Sequence, residues 1–124
     1  MQYIIKNTHE NYTAVNNAFA QDQTLDPATI GILMVILTNK ADWIVYPEEI
    51  ARRLGISRRT INRHFKKLEE AGYMRVVKHS FGGNRGAKTY RFFSDVPISD
   101  DYFEYLKTNL EKELSTERNK PLLH

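Results

Sequence analysis

The sequence contains no cysteine, which excludes disulfides and thiolate-held metals and fits a reducing compartment. It has no apolar run approaching the ~20 residues needed to cross a bilayer. Its start, MQYIIKNTHENY, lacks the basic region and long apolar stretch of a secretory signal. These absences predict a cytoplasmic protein with no membrane association. The four histidines, at positions 9, 64, 79 and 124, have no metal-ligand spacing, so no metal or cofactor is expected. The segment Gly-Gly-Asn-Arg-Gly lacks Walker spacing and does not lead from a strand into a helix, which argues against a nucleotide-phosphate cradle. Asp100-Asp101 and Glu48-Glu49 read as helix-start acids, and Ser57 has no base in sequence reach. The chain is therefore not expected to be an enzyme, and no small-molecule ligand is evident.

Acidic residues are nearly missing from one stretch. Between Arg52 and Arg91 twelve Lys and Arg face only Glu69 and Glu70, a net of +10, whereas the remaining residues carry six against thirteen acids, a net of −7. A basic block in an acidic frame indicates a polyanionic partner.

A chain of 124 residues predicts one domain with terminal extensions: an arm over residues 1–24, a folded unit over 25–96 and a terminal helix over 97–124. Asp26-Pro27 opens the first strong helix, Asp as N-cap and Pro at the first helical position. Its expected face is Ile30, Leu33, Met34 and Leu37, at i, i+3, i+4 and i+7. Trp43-Ile44-Val45 is short and β-prone. Pro47 opens a second helix to Leu54, ended by Gly55. Ser57 caps a third, Arg58 to Ala71, ended by Gly72. An alternating run, Tyr73–Ser80, and a second, Lys88–Phe93, read as a hairpin around the turn FGGNRGAK. After Pro97, Ser99 or Asp100 caps a last helix, about Asp101 to Glu117.

Ala51, Gly55 and Ile61 are spaced +4 and +6. A small residue at the crossing, a glycine at the turn and a β-branched residue in the next helix form the helix-turn-helix pattern. Ile61, Phe65 and Leu68 then face the core at i, i+4 and i+7. Arg58, Arg59, Thr60, Asn62 and Arg63 are left outside and are candidates to read base edges, since Arg suits guanine, Asn adenine and the Thr methyl thymine. Ser57, just before them, is a further candidate DNA contact, and Lys66 and Lys67 are candidate phosphate contacts. His64 reads as a surface or DNA-facing residue. Helix-turn-helix followed by a hairpin is the winged-helix order, with Trp43–Val45 as the short third strand. The fold expected is α+β: a winged helix-turn-helix, three helices plus a hairpin wing, with an additional C-terminal helix. Asn84 and Arg85 lie at the wing tip, where an Arg can enter a narrow minor groove. Lys78, His79 and Lys88 flank it as phosphate contacts.

From Asn11 to Pro97 the chain resembles the winged-helix domain at the N-terminus of phage- and plasmid-encoded replication initiators. The resemblance rests on Asn11-Tyr12 with Asn16, the helix LDPATIGILMVIL, Asp42-Trp43, the helix-turn-helix, Leu68-Glu69-Glu70-Ala71-Gly72-Tyr73, and Tyr90. It implies double-stranded DNA binding, often at repeated sites in an origin. Such initiators usually continue into a second domain that recruits helicase or builds filaments. No such domain follows in this sequence, so a stand-alone transcriptional regulator at a promoter, or an isolated DNA-binding module, also fits. A third reading is a protein-interaction module whose basic face meets an acidic partner. The last helix carries the stripe Phe103, Leu106, Leu110 and Leu114, the candidate dimerisation element. A homodimer is the expected state.

Overall fold

The structure, a computed structural model, describes residues 1–41 and 45–119, with side chains through Ser115. Its elements run α1 (Pro27–Leu37), α2 (Pro47–Leu54), α3 (Arg58–Ala71), β1 (Met74–Ser80), a 3-10 turn (Gly83–Arg85), β2 (Ala87–Phe93) and α4 (Asp100–Asn119). The fold is α+β, a winged helix-turn-helix with a C-terminal helix. Trp43 and Ile44 of the expected third strand lie outside the described residues. Val45 is in no strand, and among the described residues the sheet is the antiparallel pair β1–β2.

The first three helices begin where their sequence signals place them, at Pro27, Pro47 and Arg58. Asp26 caps α1, accepting the Thr29 N–H at 2.8 Å. Ser57 caps α3, accepting the Thr60 N–H at 3.1 Å. Gly55 ends α2 with φ +67°, and the amides of Gly55 and Ile56 return to the carbonyls of Arg52 and Ala51. Gly72 ends α3 at φ +91°, with Gly72 and Tyr73 bonded back to Glu69 and Leu68. These paired returns close the last turn of each helix, and the left-handed residue carries no Cβ penalty because it is glycine.

The core is built mainly from α1, α2, α3 and the root of the hairpin. Leu33, Ile50, Ile61 and Leu68 are fully buried, and Ala51 of α2 is 5% exposed. Burial of the α1 face differs from the expected stripe. Thr29, Ile32, Leu33 and Ile36 are buried, while Ile30, Met34 and Leu37 pack at the margin. The stripe is one residue earlier because Thr29, a polar residue passed over in the apolar pattern, is buried with its hydroxyl satisfied.

Segment 1–24 divides into two parts. Tyr3, Ile4 and Ile5 stand exposed, but Phe19 is 2% exposed in the core and Val15 packs against it. Tyr73 donates its hydroxyl to Asp22 at 2.8 Å, and the Asn16 amide donates to Asp95 at 2.7 Å. The returning segment also docks on the end of α3, where the Ile98 amide donates to the Gly72 carbonyl at 2.8 Å. Arg75 fixes the start of α4, donating to the Ile98 carbonyl at 2.7 Å and to Asp100 at 2.8 Å. Its guanidinium lies 5.1 Å from the centre of the Phe103 ring.

Candidate nucleic-acid interface

α3 is held by its buried side and offers the other. Ile61, His64, Phe65 and Leu68 are buried, which leaves Arg59, Asn62, Arg63 and Lys66 exposed along one face. His64 is a correction to the sequence reading. It is 5% exposed, and its Nδ1 lies 2.7 Å from Thr29 Oγ1 on α1. Position 64 is i+3 from Ile61, so it completes the stripe at 61, 64, 65 and 68. A polar side chain interrupts the apolar pattern, but its geometric place was in the sequence.

The expected contact residues of α3 are not equivalent. Ser57 is spent on the helix cap, and its hydroxyl donates to Thr60 Oγ1 at 2.9 Å. Thr60 is half-buried. Arg58 forms an ion pair with Glu48 of α2. Lys67 pairs with the Asp26 carboxylate at the N-terminus of α1. That pair and the Thr29 N–H hold the Asp26 carboxyl well below its usual value. Arg59, Asn62, Arg63 and Lys66 remain directed to solvent. The residues expected to contact DNA thus separate into a central group with no acid partner among the described residues and two cations already paired with acids of the same chain.

The hairpin register is Met74↔Phe93, Val76↔Arg91, Lys78↔Thr89 and Ser80↔Ala87 on one face, with Val77↔Tyr90 and His79↔Lys88 alternating between them. Because neighbouring strand residues point to opposite faces, the expected wing contacts divide. Lys78 lies on the side of α3, lining a cleft with Asn62 and Lys66. His79 and Lys88 lie on the other face, where His79 packs edge-on against Phe81 at 4.8 Å and Lys88 lies 5.7 Å from the Tyr90 ring. At the tip, Asn84 and Arg85 are exposed on the 3-10 turn, bounded by Gly82 at φ +82° and Gly86 at φ +81°.

Arg91 was absent from the expected contacts. It projects from β2 on the α3 face, half-buried, with its guanidinium 5.8 Å from the Phe65 ring centre. Its signal in the sequence was membership of the basic block, but only the hairpin register puts it beside α3. Among the described residues no group of three or more His, Asp or Glu is placed to hold a metal ion. No helix there is long and apolar enough to cross a membrane.

Residues 23–74 match a family described as a helix-turn-helix domain, which spans α1 through the start of β1. Domains of this kind set their second helix in the major groove of DNA. No curated protein matches the chain. Among solved structures it is similar to a "possible transcriptional regulator" from Methanosarcina mazei Go1, at 17% identity over 75% of this chain and 76% of that chain, with a TM-score of 0.45.

Proposed function

We propose that the protein binds double-stranded DNA sequence-specifically, with the N-terminal half of α3 in the major groove and the hairpin tip at the flanking minor groove. The supporting observation is the two-sidedness of α3: its apolar side is fully buried, while Arg59, Asn62 and Arg63 are exposed and carry the donors that match guanine and adenine edges. Lys66 and Lys78 contact phosphate. Arg85, on an exposed tip bracketed by glycines, enters the minor groove. Arg58 and Lys67 contribute less than their position in sequence suggests, because each must first give up a carboxylate.

The process served, in this reading, is initiation of replication at a phage or plasmid origin, the role implied by the initiators the chain resembles. A promoter-bound regulator would use the same surface. The reading includes a cytoplasmic homodimer, joined through Leu110 and Leu114 of α4. Phe103 receives Arg75 within its own chain, and Leu106 lines a groove with Ile36 and Ile98, so the later part of the stripe is the part left for a second copy.

Replacing Asn62 or Arg63 with Ala is expected to weaken binding to a selected site by about 1–3 kcal/mol and to relax base preference at one position. Fluorescence anisotropy on the selected duplex and its single-base variants measures both. Equal losses on selected and random duplexes would reassign these residues to the backbone. Sequencing of bound fragments distinguishes an origin from a promoter. Retention of an acidic protein in place of duplex would favour the interaction-module reading.

A further inference from the structure

The other half-buried or paired arginines of the basic block show what Arg91 lacks. Arg53 is bonded to Glu49, Arg58 to Glu48, and Arg75 to Asp100 and the Ile98 carbonyl. Arg91 is also half-buried, but among the described residues its guanidinium makes no hydrogen bond and no ion pair. The contact that places it is with the Phe65 ring, which holds the planar group without using any of its five N–H donors. Partial burial lowers its pKa from the ordinary value, and Glu48 and Glu69 only partly offset this against Arg58. A cation removed from part of its hydration and given no acceptor is set up to receive an anion.

The surroundings define the anion. Arg91 lines a cleft of about 440 Å³ between α3 and the hairpin, with Lys66 on the helix wall and Lys78 on the strand wall. Phe65 also lines it, and among the described residues the only acid lining the cleft is Glu69. The cleft is open rather than enclosed, with cations on both walls. That shape suits a charged strand running through it better than an enclosed small molecule.

We propose that this cleft seats one sugar-phosphate strand of the bound duplex, with a phosphodiester clamped between Arg91, Lys66 and Lys78. The inference rests on the DNA-binding reading and adds to it the path of one strand and a residue that fixes the angle between α3 and the hairpin. Arg91 is an arginine suited to this position because the fork of its guanidinium can donate two parallel bonds to phosphate while its face stays on Phe65.

Arg91→Gln is tested by measuring affinity for a short mixed-sequence duplex across a salt series. The slope of log affinity against log salt is expected to become shallower by roughly 0.9, the share of one neutralised phosphate. Arg91→Lys is expected to restore most of the slope. Because Arg91→Gln also removes a contact to Phe65, the double variant Lys66→Gln/Lys78→Gln, both exposed residues, gives a second reading, with an expected decrease of about 1.8. An unchanged slope in folded Arg91→Gln, or in the double variant, would overturn the clamp while leaving DNA binding in place. Failure of the unaltered protein to bind duplex would instead overturn the reading beneath it. Tighter binding to single-stranded RNA, with the same Arg91 dependence, would also overturn the duplex assignment.

Discussion

Thr29 Oγ1 and His64 Nδ1, on α1 and α3, lie 2.7 Å apart in the core, and the same hydroxyl lies 2.8 Å from Asp26 Oδ1. The hydroxyl has one proton to give. Asp26, paired with Lys67 and well below its usual carboxyl value, is a carboxylate and can only accept. The Thr29 proton therefore goes to Asp26, and the bond to His64 must be donated by the ring. A chain of donors runs from the helix bearing the candidate DNA contacts, through Thr29, to the cap of α1.

Neutral His64 is accordingly expected to be the Nδ1–H tautomer, with Nε2 unprotonated. Nitrogen chemical shifts of the ring at neutral pH check this directly. A protonated Nε2 would mean that Thr29 donates to the ring and that Asp26 receives only its backbone and lysine partners. Thr29→Val should leave the Nδ1–H without its acceptor and cost about 1–3 kcal/mol, read from the urea midpoint.

Burial holds His64 below its ordinary 6.5; the nearby Asp26 opposes this, and Lys67 and Arg63 reinforce it. The folded protein thus resists a proton that the unfolded chain accepts. The contribution to stability is complete above about pH 6.5 and is lost as pH falls from there through the depressed folded value. Asp26 acts lower in the scale. Lys67 first, and then the Thr29 N–H, depress its carboxyl from 3.8, so its contribution is complete above that value and is lost as pH falls further. The urea midpoint should decline in two stages on acidification. His64→Gln should flatten the upper stage and leave the lower one.

Tyr73 is 2% exposed and donates to Asp22. Burial first, and then this bond, push its hydroxyl up to about 12. In a spectrophotometric titration Tyr73 should ionise near pH 12, in a step that Tyr73→Phe removes. Tyr73→Phe should cost about 1 kcal/mol, since it removes one hydrogen bond but keeps the ring. A larger loss would mean that the bond, and not the buried ring, holds residues 15–25 on the domain.

Much of the helical layout was legible in the sequence because its signals are local. Asp26, Ser57, Gly55 and Gly72 act within a turn of their own position, so the bounds of α2 and α3 coincide with the pattern. What was hidden depends on relations across the chain. Thr29 and His64 look polar and exposed in isolation, and become core residues only because each supplies the other's hydrogen-bond partner. Arg58 and Lys67 look free until Glu48 and Asp26 are brought beside them. Lys78 and His79 are neighbours in sequence yet occupy opposite faces of the hairpin. Arg91 gains its place from a register that no local signal specifies.

The turn of the helix-turn-helix separates two kinds of cost. A Cβ at Gly55 would meet nothing within 4 Å, so Gly55→Ala should lose only the left-handed backbone preference, about 1 kcal/mol. Ala51 is buried in the core on α2, and the helix-turn-helix pattern predicts that it lies at the α2–α3 crossing, so Ala51→Leu should overpack that crossing and cost about 1–3 kcal/mol. The second change should also reduce DNA affinity beyond its effect on folding, because separating α2 from α3 tilts the candidate contact face. Affinity measured at a temperature where the variant is fully folded isolates that effect.

Lys66 and Lys67 are adjacent in sequence and should behave differently. Lys66 is exposed on the cleft wall, whereas Lys67 is paired with the Asp26 carboxylate. Lys66→Ala should reduce the salt slope by about 0.9 with little change in stability. Lys67→Ala should change the slope less, because in the unaltered protein a phosphate would have to displace Asp26 to reach it. Its effect should fall on folding instead: Asp26 loses its lysine, its carboxyl rises toward 3.8, and the acid stage of unfolding below that value becomes smaller. Equal slopes for the two variants would show that the Asp26 pair opens freely on binding and that both lysines meet the backbone.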